Sequence, residues 1–89
     1  MRAIITVTGK DSMGIIAKVS GKCLEFGVNI LDISQSVLKD FFAMSMLVDI
    51  AGITIEFDCF ADMMSELGEN NNLRIYTMHE DIFNSMHRI

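Results

Sequence analysis

The residues in this chain best placed to do chemistry lie in the stretch Gly9-Lys10-Asp11-Ser12-Met13-Gly14-Ile15-Ile16. It leaves a β-rich apolar run, Ala3 to Val7, and opens a helical one. Two glycines with Asp and Ser between them mark a turn that reaches positive φ and then caps a helix. A helix N-terminus presents unpaired backbone N–H groups and a positive partial charge, which suits a small anion such as a carboxylate. Every β-to-α junction contains a turn of this kind, however, so by itself the stretch reads first as scaffold and only second as a ligand site.

The other candidate chemistries fail on spacing. Gly9 and Gly14 mimic half of a phosphate-binding loop, but Ile15-Ile16 stands where Lys-Ser/Thr is needed. An acyl-phosphate hydrolase would want an arginine between Gly9 and Ile16, and none is there. Cys23 and Cys59 lie far apart and form no C-x-x-C pair, so both read as buried or half-buried thiols in a reducing compartment. Met78-His79 and Met86-His87 are spaced so that the histidines diverge around a helix, a surface arrangement and not a metal site. The eight methionines read as gap-fillers, mostly at core positions. Asp58, Asp62 and Glu66 recur at helical spacing as a solvated face. No Ser/His/Asp or Cys/His arrangement stands out, so the expectation is a protein that is not an enzyme and carries neither cofactor nor metal.

Eighty-nine residues make one domain with a modest core. The formal charge of −5 offers no basic patch for nucleic acid. No apolar run reaches membrane-spanning length and the first residues lack a signal-peptide pattern, so a soluble cytoplasmic protein without membrane partners is expected.

The elements that must hold the stretch are legible from periodicity. Ala3 to Thr8 reads as a first strand with Ile5 and Val7 toward the core. Ile15, Ile16, Val19, Cys23 and Phe26 then fall on one helical stripe, with Asp11 or Ser12 as N-cap and Gly27 as the residue after the last turn. Val28 to Leu38 returns to period two, with Leu31, Ile33 and Val37 marking one face. After Lys39-Asp40, the alternation from Phe42 to Ile50 gives a third strand, a hairpin partner of the second. Thr54 is the expected N-cap of a second helix, whose stripe is Phe57, Phe60, Ala61, Met64 and Leu67 and whose end is Gly68. Leu73 to Met78 forms a fourth strand, and a short acidic-capped helix carries Ile82, Phe83 and Met86 on one side. The order is an α+β, ferredoxin-like βαββαβ sandwich: a four-stranded antiparallel sheet with two helices on one face, plus a C-terminal helix. Strands one and three belong in the centre. The face without helices is expected to carry Ile4, Ile30 and Leu47.

Val7-Thr8-Gly9-Lys10-Asp11-Ser12-Met13-Gly14-Ile15-Ile16-Ala17, followed by Leu24-Glu25-Phe26-Gly27-Val28-Asn29-Ile30, resembles the signature of ACT domains. The likeness is strongest to the small stand-alone bacterial and archaeal ACT proteins of the UPF0237 type. It departs from the pattern at Ser12, where a basic residue is usual, and at Met13, where Pro or Val is usual. The resemblance implies that residues 1–89 form a single ACT domain: a regulatory module binding a small molecule, usually an amino acid, between two copies. By position, the ligand-binding residues would be Asp11, Ser12, Met13, Gly14, Ile15 and Ile16 from one subunit. Asn29 and Ile30 would come from the other. Asp11 reads equally as a helix cap, and Asn29 as a residue that satisfies backbone groups at the strand start. An alternative role is a protein-interaction or transcription-regulating module without a small ligand, similar to the ACT regulators of glycine-cleavage genes.

A homodimer is expected on physical grounds as well. The second strand is an edge with no proline and only Asp32 as a charge before Lys39, a poorly protected row of backbone groups. Pairing two such edges about a two-fold axis is one geometry, and packing of two open sheet faces through Ile4 and Leu47 is the other.

Overall fold

A computed structural model describes residues 1–10 and 14–86. The elements are β1 (Arg2–Gly9), α1 (Ile15–Glu25), β2 (Asn29–Leu38), β3 (Phe41–Asp49), α2 (Phe57–Asn70), β4 (Leu73–His79) and α3 (Glu80–Met86). The sheet order is β2-β3-β1-β4, antiparallel throughout, with β2 and β4 at the edges as the sequence predicts. No helix among the described residues is long and apolar enough to cross a membrane.

Strand alternation sets the two faces. Ala3, Ile5 and Val7 are buried to 0% exposure, and their β3 partners Met44, Met46 and Val48 join them under the helices. α1 contributes Ile15, Val19 and Cys23, one residue per turn on the inward stripe, and α2 contributes Phe60 and Met64. Ile16, expected on that stripe, is 36% exposed, because it lies a full 100° around the helix from Ile15. Among the described methionines, Met44, Met46 and Met64 sit in this core, while Met1 and Met86 are exposed.

The ends of α1 are set by two glycines. Gly27 has φ +74, and Val28 N–H donates to Cys23 O at 2.8 Å while Gly27 N–H donates to Leu24 O at 3.4 Å. That is the paired bonding of a Schellman motif, with the left-handed residue one past the cap. Gly27 also lies against the Gly52 carbonyl, which leaves no space for a Cβ. At the other end the N-cap is Gly14, at φ 73 and ψ −2, with no side-chain cap. The expected caps, Asp11 and Ser12, lie outside the described residues.

Three further expectations change. Thr54 does not cap α2: its hydroxyl and its N–H both donate to Phe26 O, at 3.3 and 2.9 Å, and Glu56 is the N-cap. Gly68 does not end α2, which runs to Asn70. It is instead where the helix approaches β4, since an added Cβ would stand 2.9 Å from both Leu73 O and Ile75 Cγ1. Ile30 belongs to the helix face, paired with Val48 and packed on the core. The open face therefore carries Ile4, Leu47, Met78 and Tyr76 among Thr6, Ser45 and Ser34.

β2 departs most from its pattern. Leu31, Ile33 and Val37 are 47%, 38% and 66% exposed, although Ile33 and Val37 register with the buried Met46 and Phe42. They stand on the correct side of the sheet, but the helices do not cover this outermost strand. A register irregularity between Ile30 and Asp32 bends its start.

Candidate functional site

The backbone defines one part of the predicted site. Gly14 places α1 so that Lys18 N–H makes the first intrahelical bond, to Gly14 O at 3.1 Å. The N–H groups of Ile15, Ile16 and Ala17 precede that bond and have no intrahelical partner. Among the described residues no acidic side chain stands in the first turn and no side chain caps it, so the positive end of the helix is not neutralised from within its own turn. Ile15 is buried and anchors the turn, Gly14 is exposed, and Ile16 faces outward. Asp11, Ser12 and Met13 lie outside the described residues.

One cation near this end escaped the sequence reading. Lys18, exposed on α1, donates through Nζ to Asn71 Oδ1 at 2.7 Å. Asn71 is itself oriented by its Nδ2, which donates to Leu67 O at 2.8 Å. The link ties the first turns of α1 to the turn between α2 and β4, and among the described residues Lys18 has no carboxylate partner. The only sequence signal was its position four residues after Gly14, from which a helical side chain leans back toward the N-terminus.

Asn29 lies elsewhere. β1 enters the sheet at Arg2 and leaves at Gly9, and Arg2 and Asn29 both register with Asp49, whereas Gly9 and Val37 both register with Phe42. Asn29 is thus at the opposite end of the sheet from the loop. Seven steps of about 3.3 Å along the strand and two strand spacings of about 4.8 Å put the two about 25 Å apart within one chain. Its row is that of Arg2 and Asp49, on the open face, while Ile30 beside it packs beneath the helices. Asn29 is exposed and its side chain makes no hydrogen bond among the described residues, so it does not serve the strand-start role.

The cysteines separate sharply. Cys23 is buried, and burial pushes its thiol up from 9.0 to about 11. Cys59, expected to be at least half-buried, is exposed in the first turn of α2, because it lies about 100° around the helix from the buried Phe60. No group of three His, Cys, Asp or Glu residues able to hold a metal occurs among the described residues. A cleft of about 620 Å³ opens at the far end of the sheet, lined by Met1, Arg2, His79, Glu80, Asp81 and Ile82. The His79 ring there stacks on Phe57 with centroids 4.1 Å apart.

A family model for the ACT domain matches residues 2–68. A UPF0237 protein of Clostridium perfringens is 49% identical over 89 residues, covering all of both chains. Among solved structures, an ACT domain protein from Streptococcus pneumoniae is 42% identical, covers 93% of each chain and superposes with a TM-score of 0.80. A formyltetrahydrofolate deformylase from Burkholderia mallei matches 88% of this chain with 28% of its own, at a TM-score of 0.76 and 10% identity, a likeness of fold alone. With the βαββαβ order, the left-handed Gly14 ahead of α1 and full-length identity to UPF0237 proteins, the chain belongs to the ACT domain family of regulatory, small-ligand-binding modules.

Proposed function

We propose that residues 1–89 act as one non-enzymatic ACT domain that binds an amino acid at the interface of a homodimer. The observation that carries this reading is the α1 N-terminus, with three N–H groups that lack an intrahelical partner and, among the described residues, neither a side-chain cap nor an acid in its first turn. An α-carboxylate is the ligand group such a terminus suits, and Asp11 or an Asn amide oxygen suits the α-ammonium. The proposed lining is Asp11, Ser12, Met13, Gly14, Ile15 and Ile16 of one subunit with Asn29 and Ile30 of the other.

The sheet topology supports the interfacial part. Asn29 and the loop are about 25 Å apart in one chain, too far for one amino acid to touch both. An antiparallel β2–β2 pairing about a two-fold axis near the middle of the strand would set Asn29 of one copy opposite Leu38 of the other. That is the end of the sheet at which Gly9 leads into the loop. Edge pairing would also cover Leu31, Ile33 and Val37.

Thermal denaturation against the twenty amino acids tests the reading. A ligand at about 100 times its dissociation constant stabilises the native state by about 2.7 kcal/mol. Flat melts with all twenty at millimolar concentration would sink it. The open face favours a second reading, since Ile4, Leu47 and Met78 are only partly covered and Tyr76 is 54% exposed. On that reading the chain is a ligand-independent protein-interaction module, and a stoichiometric protein partner that no amino acid displaces would identify it.

A further inference from the structure

No residue of α3 is buried, and Ile82 and Met86 are 51% and 66% exposed. Two turns of helix do not hold themselves in water, so what fixes α3 must come from outside it. Among the described residues, one contact from α3 to β1 is ionic. Arg2 Nε donates to Glu80 Oε1 at 3.0 Å and Arg2 Nη2 lies 2.7 Å from Glu80 Oε2. A two-pronged arginine–carboxylate fork fixes angle as well as distance, which a point contact does not. Its placement matters too. Arg2 is the first residue of β1, and Glu80 directly follows His79, the β4 residue paired with Ala3, so the fork bridges the two strands where α3 departs. Phe83, half-buried, adds a contact of its own. Beside the fork lies the cleft of about 620 Å³, one wall of which is the first turn of α3 and another the start of β1.

We propose that α3 is an ionic strap: the Arg2–Glu80 fork docks it against β1 and closes one side of the cleft, and loss of the fork frees the helix and opens the cleft. The fork is partly exposed, at 50% and 25% for the two side chains, so salt weakens it where it would spare a buried apolar dock. The strap is at the opposite end of the sheet from the α1 N-terminus and does not depend on ligand binding there.

Hydrogen exchange with peptide resolution on the full chain tests this directly. Raising salt from about 0.1 to about 1 M shortens the screening length from about 10 to 3 Å. Amides of 82–86 should then exchange about two- to fivefold faster, with those of Ile5 and Val7 unchanged. Glu80→Gln and Arg2→Gln should give the fast rate already at low salt and lose the salt response. Unchanged α3 exchange in Glu80→Gln, or a salt response that survives it, overturns the proposal and leaves Phe83 as what holds the helix. Loss of protection in β1 together with α3 also overturns it, because the fork would then serve the whole fold and not a local strap.

Discussion

Gly27, Gly14 and Gly21 allow backbone strain and close packing to be measured separately in one helix. Gly14 and Gly27 sit at nearly the same positive φ, 73 and 74°, at the two ends of α1. An Ala at either must accept the left-handed conformation, which costs about 1–2 kcal/mol for a residue with a Cβ. Among the described residues nothing lies within 4 Å of a Cβ at Gly14, so strain is the penalty expected there. At Gly27 the new Cβ would also run into the backbone carbonyl of Gly52, which cannot turn aside as a flexible side chain can. Overpacking of that kind adds about 1–3 kcal/mol. The sum for Gly27→Ala is then about 2–5 kcal/mol, a fall in Tm of roughly 8–40 °C at about 4–8 °C per kcal/mol for a chain of this size. Gly21 is inside α1 with negative φ and nothing within 4 Å, so Gly21→Ala should stabilise by about 0.5–1 kcal/mol. Urea unfolding midpoints and thermal melts of the three variants give the comparison. If Gly27→Ala falls within about 0.5 kcal/mol of Gly14→Ala, the Gly52 contact carries no energy. A Gly21→Ala as destabilised as Gly14→Ala would refute the strain argument itself.

Asn29→Ala is expected to keep the melting curve of the parent, since its side chain bonds nothing among the described residues, and to weaken amino-acid binding about tenfold by titration calorimetry; unfolding with normal binding by the folded fraction would make Asn29 structural. Val37→Lys places a charge on an exposed point of β2 and should leave the protomer folded while shifting light scattering from a dimer toward a mass near 10 kDa. A dimer that persists in Val37→Lys but dissociates in Leu47→Lys would assign the interface to the open faces. The Cys23 thiol keeps its proton when folded up to about pH 11, whereas an unfolded thiol releases it above about pH 9. Stability is therefore full below about pH 9 and is lost as pH rises toward 11, by at most about 3 kcal/mol, and Cys23→Ala should flatten that slope. At neutral pH a thiol reagent should label Cys59 rapidly and Cys23 only on unfolding.

Periodicity was a good guide wherever a segment's own neighbours decide its environment. The inward stripe of α1, the alternation of β1 and β3, and Gly27 as the residue after the helix all emerged from local pattern, because each is dictated by helix or strand geometry. What local pattern could not show was lateral position. Ile33 and Val37 alternate as faithfully as Ile5 and Val7, yet they are exposed, because an edge strand lies beyond the reach of two helices. Gly68 illustrates the same limit: a glycine near a helix end reads as a terminator, and only the packed distance to β4 identifies a close approach. Thr54 was misread because its strongest partner, the Phe26 carbonyl, is remote in sequence. For the proposed site, the motif pointed to the loop and Asn29 but not to their separation, which depends on β1 and β2 running in the same direction with β3 between them.

That separation has a thermodynamic consequence for the proposed reading. A ligand that touches both the α1 N-terminus of one copy and Asn29 of another binds the dimer more tightly than a lone protomer, so its binding and dimerisation are linked by one coupling free energy. Ligand must then strengthen the dimer by the same factor by which dimerisation strengthens ligand binding, and apparent affinity must fall on dilution below the dimer dissociation constant. The N–H groups of Ile15, Ile16 and Ala17, which have no intrahelical partner, are present in a single copy, so on the proposed reading a lone protomer would retain weak, carboxylate-dependent binding while losing what Asn29 contributes. Binding that is tight and independent of protein concentration would place the whole ligand within one chain. The topology of this sheet could not supply that through Asn29, and the residues completing such a site would have to come from the loop end itself, where Lys18 and Asn71 already meet.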